Sequence, residues 1–385
     1  MNFRGYRRSN DTVGVRNHVL IFPTTTCAAT VAQIISREVS GTVSAIHPHG
    51  CGHLGEEVAL MVRTMAGFCS NPNVAGVLLI GLGCELLTPG VIAEELTKSG
   101  QRFETISIQE MGGTTNSVAE GKKLAEQLLK ESTTARQELV DISELIIGVS
   151  CGGSDAISGI TANPSLGVAS DLLIAEGGTV IVSETPEMLG SEKILVRRSA
   201  NSDTRKRIWT ITANTEASIE SMGVDIRGTD PSPGNIEGGL TTLEEKSIGA
   251  ILKGGTTPIK QVVKYAEKPA QKGLVIMDGP AHDVVCNTGM IAAGAQVIVF
   301  TTGRGTPIGS PIAPVIKVSS NSTLYDRMRD NIDINAGTIM DGTESIQTIG
   351  ERIFRDIIDV VSGKLTRAEI LGHTEFAIPS IMPTL

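Results

Sequence analysis

The chain has 385 residues, of which 40% are hydrophobic, so it is long enough for two domains with substantial cores. Its formal net charge of −9 and its 3% aromatic content argue against nucleic-acid binding, because neutralising phosphates requires clustered Lys and Arg. The polar N-terminus is no secretory signal, and no apolar run reaches the roughly 18–20 residues of a membrane span. We therefore expect a cytoplasmic protein that binds neither nucleic acid nor membrane.

Short apolar strands alternate with amphipathic helices along the chain. We predict strands over 19–24, 74–83, 103–108, 144–150, 178–184, 273–279 and 293–303. We predict helices over 29–39, 117–132 and 165–177. This alternation is typical of βαβ units, so the expected fold class is α/β, with two Rossmann-like units and mostly parallel sheets.

A polar, charged stretch over 128–144 separates two strand-rich blocks. We therefore predict an N-terminal α/β domain over 1–135 and a C-terminal Rossmann-like α/β domain over 142–385. The segment 228–258 is rich in Gly, Pro and Thr and is predicted to form loops over a site. The six cysteines are scattered singly, which excludes a zinc ribbon, and a reducing compartment argues against disulfides.

Polar residues flanked by glycine follow four of the predicted strands. They are Cys27, Cys84 with Glu85, Cys151, and the TTGRGT segment over 301–306. Because ligands bind at the carboxyl ends of parallel strands, we expect these residues to lie near a site.

The segment 47–57, HPHGCGHLGEE, is dense in metal-ligand types. His47, His49, Cys51 and His53 alternate at period two, so they share one face if the segment is extended. Imidazole and thiolate together suit iron, zinc or a related metal. The alternative is a polar loop near a subunit contact.

The segment GLGCE over 81–85 ends a predicted buried strand. Its glycines permit close approach of a ligand, Cys84 is a candidate metal ligand, and Glu85 is a candidate base. The alternative is a small buried cysteine followed by a glutamate at a helix N-terminus.

The segment 150–167 joins a predicted strand to a predicted helix. Its hydroxyls and backbone N–H groups suit a carboxylate or hydroxyl ligand, and it matches neither GxGxxG nor a Walker sequence. The alternative is an elaborate turn with Ser and Asn caps. Arg304, flanked by glycines, is placed to bind a carboxylate with two parallel hydrogen bonds, or else is a surface arginine.

Weaker candidates for chemistry lie in the 234–247 loop or at a later strand end. They are Asn235, Glu237, Lys246, His282 and Asp283. For the loop residues a solvated surface role is the alternative, since Glu and Lys are normally exposed.

Together these segments resemble the UxaA family of sugar-acid dehydratases, which includes altronate and galactarate dehydratases. The resemblance runs in order through nearly the whole chain. Its blocks are GYRRSNDTVGVRNHVLIFPT, HPHGC with His47 and Cys51, NPNVAGVLLIGLGCE with Cys84 and Glu85, CGGSDAISGITANPSLG, ETPEMLGSEKILVRR, GNIEGGLTTLEEKS and FTTGRGTPIGSPIAPVIKVSSN. The resemblance implies dependence on Fe²⁺, with Mn²⁺ as the alternative, and conversion of a 2,3-dihydroxy acid to a 2-keto-3-deoxy acid.

Such a reaction needs a base for the proton α to the carboxylate, a cation for the enediolate, and an acid for the departing 3-hydroxyl. The expected pool of metal ligands is His47, Cys51, Cys84 and Cys151. The expected acid and base are Glu85 and Asp155. The residues expected to hold the substrate are Ser154, Asn163, Arg304 and Thr306.

Members of the family often carry Ser-Gln after the HPxGC cysteine, where this chain has Gly52 and His53. Full-length relatives also carry a small N-terminal SAF-type domain, whereas this chain begins at the large catalytic region. The resemblance therefore implies a separate small SAF-domain subunit beside a sugar-acid substrate, and we expect the catalytic subunit to form a homo-oligomer.

Three alternatives stay open at this point. Sulfolactate sulfo-lyases, a sister branch with a split arrangement, eliminate sulfite, although the cysteine of GLGCE favours dehydration. Three thiolates from separate loops could hold an iron–sulfur cluster instead of a single ion. The chain could also be a sugar-acid-binding protein without catalytic activity.

Overall fold

The computed structural model describes residues 1–381. Its strands are β1 (Asn2–Arg7), β2 (Val13–Gly14), β3 (His18–Pro23), β4 (Thr42–Ser44), β5 (Val74–Gly81), β6 (Phe103–Ser107), β7 (Gln137–Asp141), β8 (Ile146–Cys151), β9 (Thr179–Val182), β10 (Ile259–Val263), β11 (Gly273–Met277), β12 (Val297–Thr302), β13 (Val315–Ser319) and β14 (Ile334–Asn335). Its helices are α1 (Ala29–Glu38), α2 (Glu56–Cys69), α3 (Pro89–Ser99), α4 (Thr114–Ser132), α5 (Ala162–Ala175), α6 (Glu192–Arg197), α7 (Ser202–Ser221), α8 (Pro233–Glu237), α9 (Leu243–Ile251), α10 (Asp283–Ala292), α11 (Ser322–Arg327), α12 (Ile346–Val361) and α13 (Arg367–Leu371).

The first sheet contains four parallel strands in the order β4-β3-β5-β6. Val19 and Ile21 of β3 pack with α1 and α4, whereas Leu20 and Phe22 pack with α2 and α3. Successive side chains of a strand point to opposite faces, and here both faces are covered by helices. This is why β3 is apolar throughout its middle and does not alternate with polar residues.

The second sheet contains seven parallel strands in the order β10-β11-β9-β8-β12-β13-β14. Helices α5 and α12 cover one face, and α10 together with α2 of the first unit covers the other. From β8 the chain proceeds to β9 on one side, whereas β12, on the other side of β8, leads to β13 and β14. The strand order therefore reverses between β8 and β12, and ligands of such sheets bind in the crevice outside the carboxyl ends at this point.

Helices α2 and α10 join the two units by packing side by side. Gly67 of α2 lies so close to the Ala292 carbonyl of α10 that a Cβ would collide with it. Arg63 Nε donates to the Tyr265 carbonyl at 2.7 Å, and the Tyr265 hydroxyl donates to the Val285 carbonyl at 2.6 Å. Gly67 and Ala292 lie near the ends of their helices, whereas Arg63 and Val285 lie nearer the starts, so the two helices run in the same direction. Because each begins at the carboxyl edge of its own sheet, both edges lie on the same side of the molecule.

The predicted α/β fold class with mostly parallel sheets is confirmed. The sequence patterns do not indicate the small antiparallel sheet β2-β1-β7, in which β1 pairs with β7 from the polar 128–144 stretch. Most exposed residues of both strands are polar or charged, so their apolar signal is weak. Among residues 1–381, no helix is long and apolar enough to cross a membrane.

Candidate active site

A cavity of about 590 Å³ lies at the carboxyl edge of the seven-stranded sheet, at the reversal point between β8 and β12. The loops after β8 and β12, the turn after β9, the start of α10 and the 226–246 region form its walls. Its polar lining residues are Cys151, Ser154, Glu187, Thr229, Asp230, Ser232, Asn235, Lys246, Asp283 and Arg304. The predicted loop region over 228–258 thus contributes to the wall, although it also contains α8 and α9.

Behind one wall of the cavity, Cys151, Glu184, Glu187 and Lys253 form a buried ionic cluster. Lys253 Nζ lies 2.6 Å from Glu184 Oε2 and 3.5 Å from Glu187 Oε2, and it donates to Cys151 Sγ at 3.1 Å. The Cys151 thiol donates to Glu187 Oε2 at 3.1 Å. Lys253 is 1% exposed and Glu184 is 0% exposed, so water does not screen these charges.

The backbone at Glu184, just after β9, produces this geometry. Its φ of 74° lies in the left-handed region, which a residue other than glycine adopts at an energetic cost. A 3₁₀ turn over Thr185–Met188 follows and places Glu187 beside Glu184. Within the described chain, Glu184 Oε1 is buried and has no hydrogen-bond partner. Backbone strain and an unpaired buried oxygen both favour a functional role.

The cluster shifts the pKa values of its two carboxyl groups in opposite directions. Burial raises the pKa of Glu184 to about 8, although the Lys253 ammonium opposes this rise. Glu187 is also buried, but the ammonium groups of Lys253 and Lys246 outweigh burial and lower its pKa. Burial, followed by the charge of Glu187, raises the pKa of the Cys151 thiol. At neutral pH an ionised Glu187 therefore faces a protonated thiol.

Lys246 and Asp283 line the cavity in front of this cluster. Lys246 Nζ lies 2.7 Å from Asp230 Oδ1 and 3.3 Å from Glu187 Oε1. Burial acts to lower the pKa of Lys246, but the two carboxylates outweigh burial and raise the pKa above its usual value, so this lysine stays charged. Burial and then the charge of Glu187 raise the pKa of Asp283 to about 6. Asp283 packs on Gly152, where any side chain would collide with its carboxylate.

Arg304 lies at the mouth of the cavity. Its backbone N–H donates to the Gly153 carbonyl at 2.8 Å, which joins the loop after β12 to the loop after β8. Its Nη2 donates to Glu237 Oε2 at 2.8 Å, and the two side chains are 41% and 69% exposed. An exposed ion pair contributes only about 0–1 kcal/mol, so the guanidinium can exchange Glu237 for the carboxylate of a ligand.

Three of the main candidates from the sequence line the cavity, namely Cys151, Ser154 and Arg304, and so do three of the weaker candidates, Asn235, Lys246 and Asp283. Asn163 is buried beside it, where its amide accepts from a threonine hydroxyl of β12 at 2.6 Å and donates to a backbone carbonyl at 3.0 Å. Thr306 is also buried, and its hydroxyl accepts from a backbone N–H two residues later at 3.3 Å. In this arrangement both side chains brace loops of the site.

The Asp155 carboxylate is held by several donors under the 150–167 segment. Ser158 donates to it at 2.7 Å, Ser320 at 2.8 Å, and Asn321 at 3.0 Å. Ser320 follows β13 and Asn321 caps α11, so Asp155 joins the loop after β8 to a neighbouring loop. It does not belong to the cavity lining.

Glu85 lies at the carboxyl edge of the four-stranded sheet, away from this cavity lining. Its carboxylate accepts from two backbone N–H groups of its own loop, at 3.1 and 2.6 Å. It also accepts from the hydroxyl of Thr24, at 3.2 Å. These bonds hold the loop after β5 against the end of β3.

The remaining proposed metal ligands, His47, Cys51 and Cys84, lie at the same edge of the four-stranded sheet. His47 is buried, its Nε2 lies 2.7 Å from the Pro23 carbonyl oxygen, and its Nδ1 accepts from the His49 N–H at 3.2 Å. Both ring nitrogens are therefore engaged. Cys51 and Cys84 are exposed. The pool of metal ligands expected from the sequence is thus divided between two sheets.

The sequence patterns did not single out Glu184, Glu187 or Lys253 as site residues. The two glutamates belong to ETPEM, which begins at the last residue of the predicted strand 178–184, so the rule applied to other strand ends would have indicated them. Lys253 stands in the Gly-rich 228–258 segment, and no local pattern shows that it is buried among acids.

Cys151, Glu184 and Glu187 could hold a metal ion, because one ligand atom from each lies within 4.8 Å of the others. A thiolate with two carboxylates suits a borderline divalent ion, and Glu184 Oε1 has a free lone pair for it. The Lys253 ammonium lies among the same atoms, so an ion would have to displace it.

Two domain families match this chain in succession. The second domain of D-galactarate dehydratase/altronate hydrolase matches residues 5–133. The C-terminal domain of D-galactarate/altronate dehydratase matches residues 142–384. Both matches agree with the resemblance that the motifs indicate.

Three curated proteins are similar over nearly the whole chain. Altronate dehydratase of Bacillus subtilis is 34% identical over 391 residues, covering 98% of this chain and 77% of that protein. Galactarate dehydratase (L-threo-forming) of Escherichia coli is 38% identical over 386 residues, covering 94% and 73%. The (2R)-sulfolactate sulfo-lyase subunit beta of Chromohalobacter salexigens is 35% identical over 378 residues, covering 98% and 96%. With both domain families matched in order, the chain belongs to the D-galactarate/altronate dehydratase family of lyases, the UxaA family.

Proposed function

We propose that this chain is the catalytic subunit of a dehydratase that converts an altronate- or galactarate-type sugar acid to a 2-keto-3-deoxy acid and water. The observation that carries this proposal is the cavity at the β8–β12 reversal point, which combines a half-buried acid, Asp283, with the two cations Lys246 and Arg304. Family membership supports the reaction class, and the names of two relatives support the substrate class.

Asp283 is proposed as the base that removes the proton α to the substrate carboxylate. It lies on the cavity wall at the start of α10. A catalytic base works best when its pKa is near the working pH, and burial beside Glu187 raises the pKa of Asp283 to about 6. The close packing of Gly152 fixes the position of the carboxylate.

Arg304 is proposed to bind the substrate carboxylate, on which the charge of the enediolate develops. Lys246 is proposed to donate a proton to the departing 3-hydroxyl, because it stays charged and lines the cavity. Glu187 and Lys253 act behind Lys246. Glu187 holds the Lys246 ammonium group, and Lys253 sets the charge of the cluster. They are positioning residues.

The other residues expected from the sequence take supporting roles in this proposal. Ser154 lines the cavity and is proposed to contact a substrate hydroxyl. The residues proposed to position loops are Asp155, Asn163, Thr306 and Glu85.

We propose Fe²⁺ as the metal, with Mn²⁺ as the alternative, because the family resemblance implies it. A bound divalent ion would supply Lewis-acid stabilisation of the enediolate. Cys151, Glu184 and Glu187 would hold it in the cavity wall once the Lys253 ammonium is displaced.

A partner subunit is also proposed. The relative from Chromohalobacter is named a subunit, and the match covers 96% of its length. We infer that this chain acts with a small SAF-domain subunit and that the catalytic subunit forms a homo-oligomer.

Sulfite elimination from sulfolactate is the second candidate function. It is favoured by the identity of 35% to the sulfo-lyase subunit, which is similar to the identities with the dehydratases. Both reactions would begin with the same base and the same carboxylate contact, and they differ in the leaving group.

The deciding experiment is an assay of the purified chain, with and without a small SAF-domain subunit, after anaerobic loading with Fe²⁺. Altronate, galactarate, related aldonates and aldarates, and sulfolactate are supplied separately. Formation of a 2-keto-3-deoxy acid from a sugar acid supports the proposal, and sulfite release from sulfolactate alone replaces it with the second candidate. Tight binding of a sugar acid without turnover in any combination would show a binding protein instead.

A further inference from the structure

A lysine interrupts an otherwise apolar stretch at the centre of strand β13. The strand reads VIKVS and all five of its residues are buried. Lys317 is 0% exposed, and its partner in the neighbouring strand β12 is the apolar Phe300. Lysine is almost never fully buried unless it is paired, so its presence in this strand requires an explanation.

The ammonium group of Lys317 contacts backbone carbonyls and no carboxylate. Its Nζ donates to the Pro307 carbonyl at 3.3 Å and to the Ile308 carbonyl at 3.0 Å. Among residues 1–381 it forms no salt bridge. Burial lowers the pKa of Lys317 to about 8, although the charges of Asp333 and Glu375 act to raise it. An ammonium group at this place is therefore costly for the fold, and residues that break a packing rule in this way are typical of functional sites.

One peptide group of the loop after β12 is held by charged side chains at both of its ends. The Ile308 carbonyl accepts from Lys317 Nζ, and the Gly309 N–H of the same peptide group donates to Glu375 Oε2 at 2.8 Å. A Cβ on Gly309 would lie 2.3 Å from the His373 carbonyl oxygen, so the C-terminal segment packs directly on this peptide group. We call Lys317 and Glu375 the loop clamp.

A short and stiff connection leads from the loop clamp back to Arg304. The Thr306 hydroxyl accepts from the Ile308 N–H at 3.3 Å, and Pro307 between them has a φ angle fixed by its ring. Gly305 has a φ of 95°, which only glycine adopts readily, and so sets the turn between Thr306 and Arg304. The backbone of Arg304 is itself bonded to the loop after β8. The loop is therefore fixed at its start by this bond and further along by the clamp.

We propose that Lys317 is a positioning residue, which holds the loop after β12 in the form that presents the Arg304 guanidinium to the substrate carboxylate. The inference rests on the proposed function, in which Arg304 binds that carboxylate. Lys317 does not belong to the cavity lining, so it acts through the loop and not on the substrate. A loop that is held only at its start can turn about that bond, and a displacement of about 1 Å can lower a rate roughly 10²-fold.

Lys317→Met separates positioning from a structural role. Methionine is similar in length and carries no charge, so we expect the free energy of unfolding in urea to stay the same or to increase. Pro307 is exposed and Ile308 is half-buried, so water can replace the ammonium group at their carbonyls. We expect kcat/KM to fall roughly 10–10²-fold. Lys260→Met is the matched control, because it removes an exposed ammonium group from the same sheet and should change neither quantity.

A double-mutant cycle with Arg304→Ala shows whether Lys317 acts through Arg304. Lys317→Met should lower kcat/KM strongly when Arg304 is present, but by less than about twofold in the Arg304→Ala protein. The affinity for galactarate, measured by titration calorimetry, should follow the same pattern. Equal losses with and without Arg304 overturn the proposal, because Lys317 then acts elsewhere.

Amide hydrogen exchange, followed by mass spectrometry, gives a readout that needs no activity. Lys317→Met should accelerate exchange within the 303–310 segment and leave the rest of the chain unchanged. Unchanged exchange in this segment overturns the proposal, as does faster exchange throughout the chain with a lower free energy of unfolding, which indicates a structural role. Failure of the proposed function is recognised separately, before any variant is made, because the unaltered chain then neither binds nor converts a sugar acid.

Discussion

Replacing Lys253 by methionine tests whether its ammonium holds the buried cluster together. Met is similar in length but carries no charge, so Glu184, Glu187 and Cys151 would lose the cation that all three contact. Removing one partner of a buried ion pair costs about 3–5 kcal/mol, because the remaining charge is poorly screened by water. Lys246 still faces one oxygen of Glu187, so the lower end of this range applies. We expect a loss of this size in the free energy of unfolding, together with loss of turnover, since Lys246 is then held by an altered Glu187.

Urea unfolding at neutral pH measures this loss. Lys123→Met is the matched control, because the Lys123 ammonium lies 2.9 Å from Glu120 with side chains 73% and 41% exposed. Such a pair contributes about 0–1 kcal/mol. The double variant Glu187→Gln with Lys253→Met is expected to recover part of the stability, because it removes the ionised carboxylate together with its counter-charge. If Lys253→Met loses no more stability than Lys123→Met, the buried-cluster reasoning is refuted.

Three further changes test the cavity. Asp283→Asn is expected to lower kcat/KM by roughly 10²–10⁴-fold. In the unaltered enzyme, kcat/KM should decrease as the pH is lowered through about 6, because only ionised Asp283 accepts a proton. A pH profile that stays flat through this range contradicts the assignment. Gly152→Ala introduces a Cβ against the Asp283 carboxylate and should lower kcat. Gly90→Ala is the control, because its Cβ meets only an ordinary contact at 3.6 Å and should leave kcat unchanged. Equal kcat values for the two variants would refute the steric argument. Arg304→Lys should lower kcat/KM about tenfold, because lysine cannot form two parallel hydrogen bonds with a carboxylate; unchanged steady-state kinetics would take Arg304 out of the site.

The parallel core of both units was predictable because its strands are buried on both faces. Continuous apolar runs such as those of β5 and β12 are characteristic of such strands, and helices between them complete the βαβ pattern. Strand β13 and the edge strands β4, β10 and β14 were not predicted, nor was the antiparallel sheet. The pairing within the antiparallel sheet depends on partners far along the chain, as in the Phe3–Val140 pair of β1 and β7, and local periodicity carries no such information.

The site was predictable where a strand end carried an obvious chemical group. Cys151 and Arg304 were found by this rule and line the cavity. Lys253 could not be found in this way, because its role depends on burial beside Glu184 and Glu187, which are more than 60 residues earlier in the chain. Asp155 shows that the rule can also mislead. Its position after β8 suggested a catalytic role, but its carboxylate accepts hydrogen bonds from the distant loop after β13.

The shared direction of α2 and α10 has a functional consequence for both edges. Since the two helices begin on the same side, the loop that carries Cys51 and the cavity wall that carries Asp283 belong to one face of the molecule. The C-terminal segment connects this face further, because the Ile378 carbonyl is bonded to His49 at 3.0 Å and Glu375 accepts from the Gly309 N–H at 2.8 Å. The loop after β12 is thereby tied to the histidine-rich loop through hydrogen bonds.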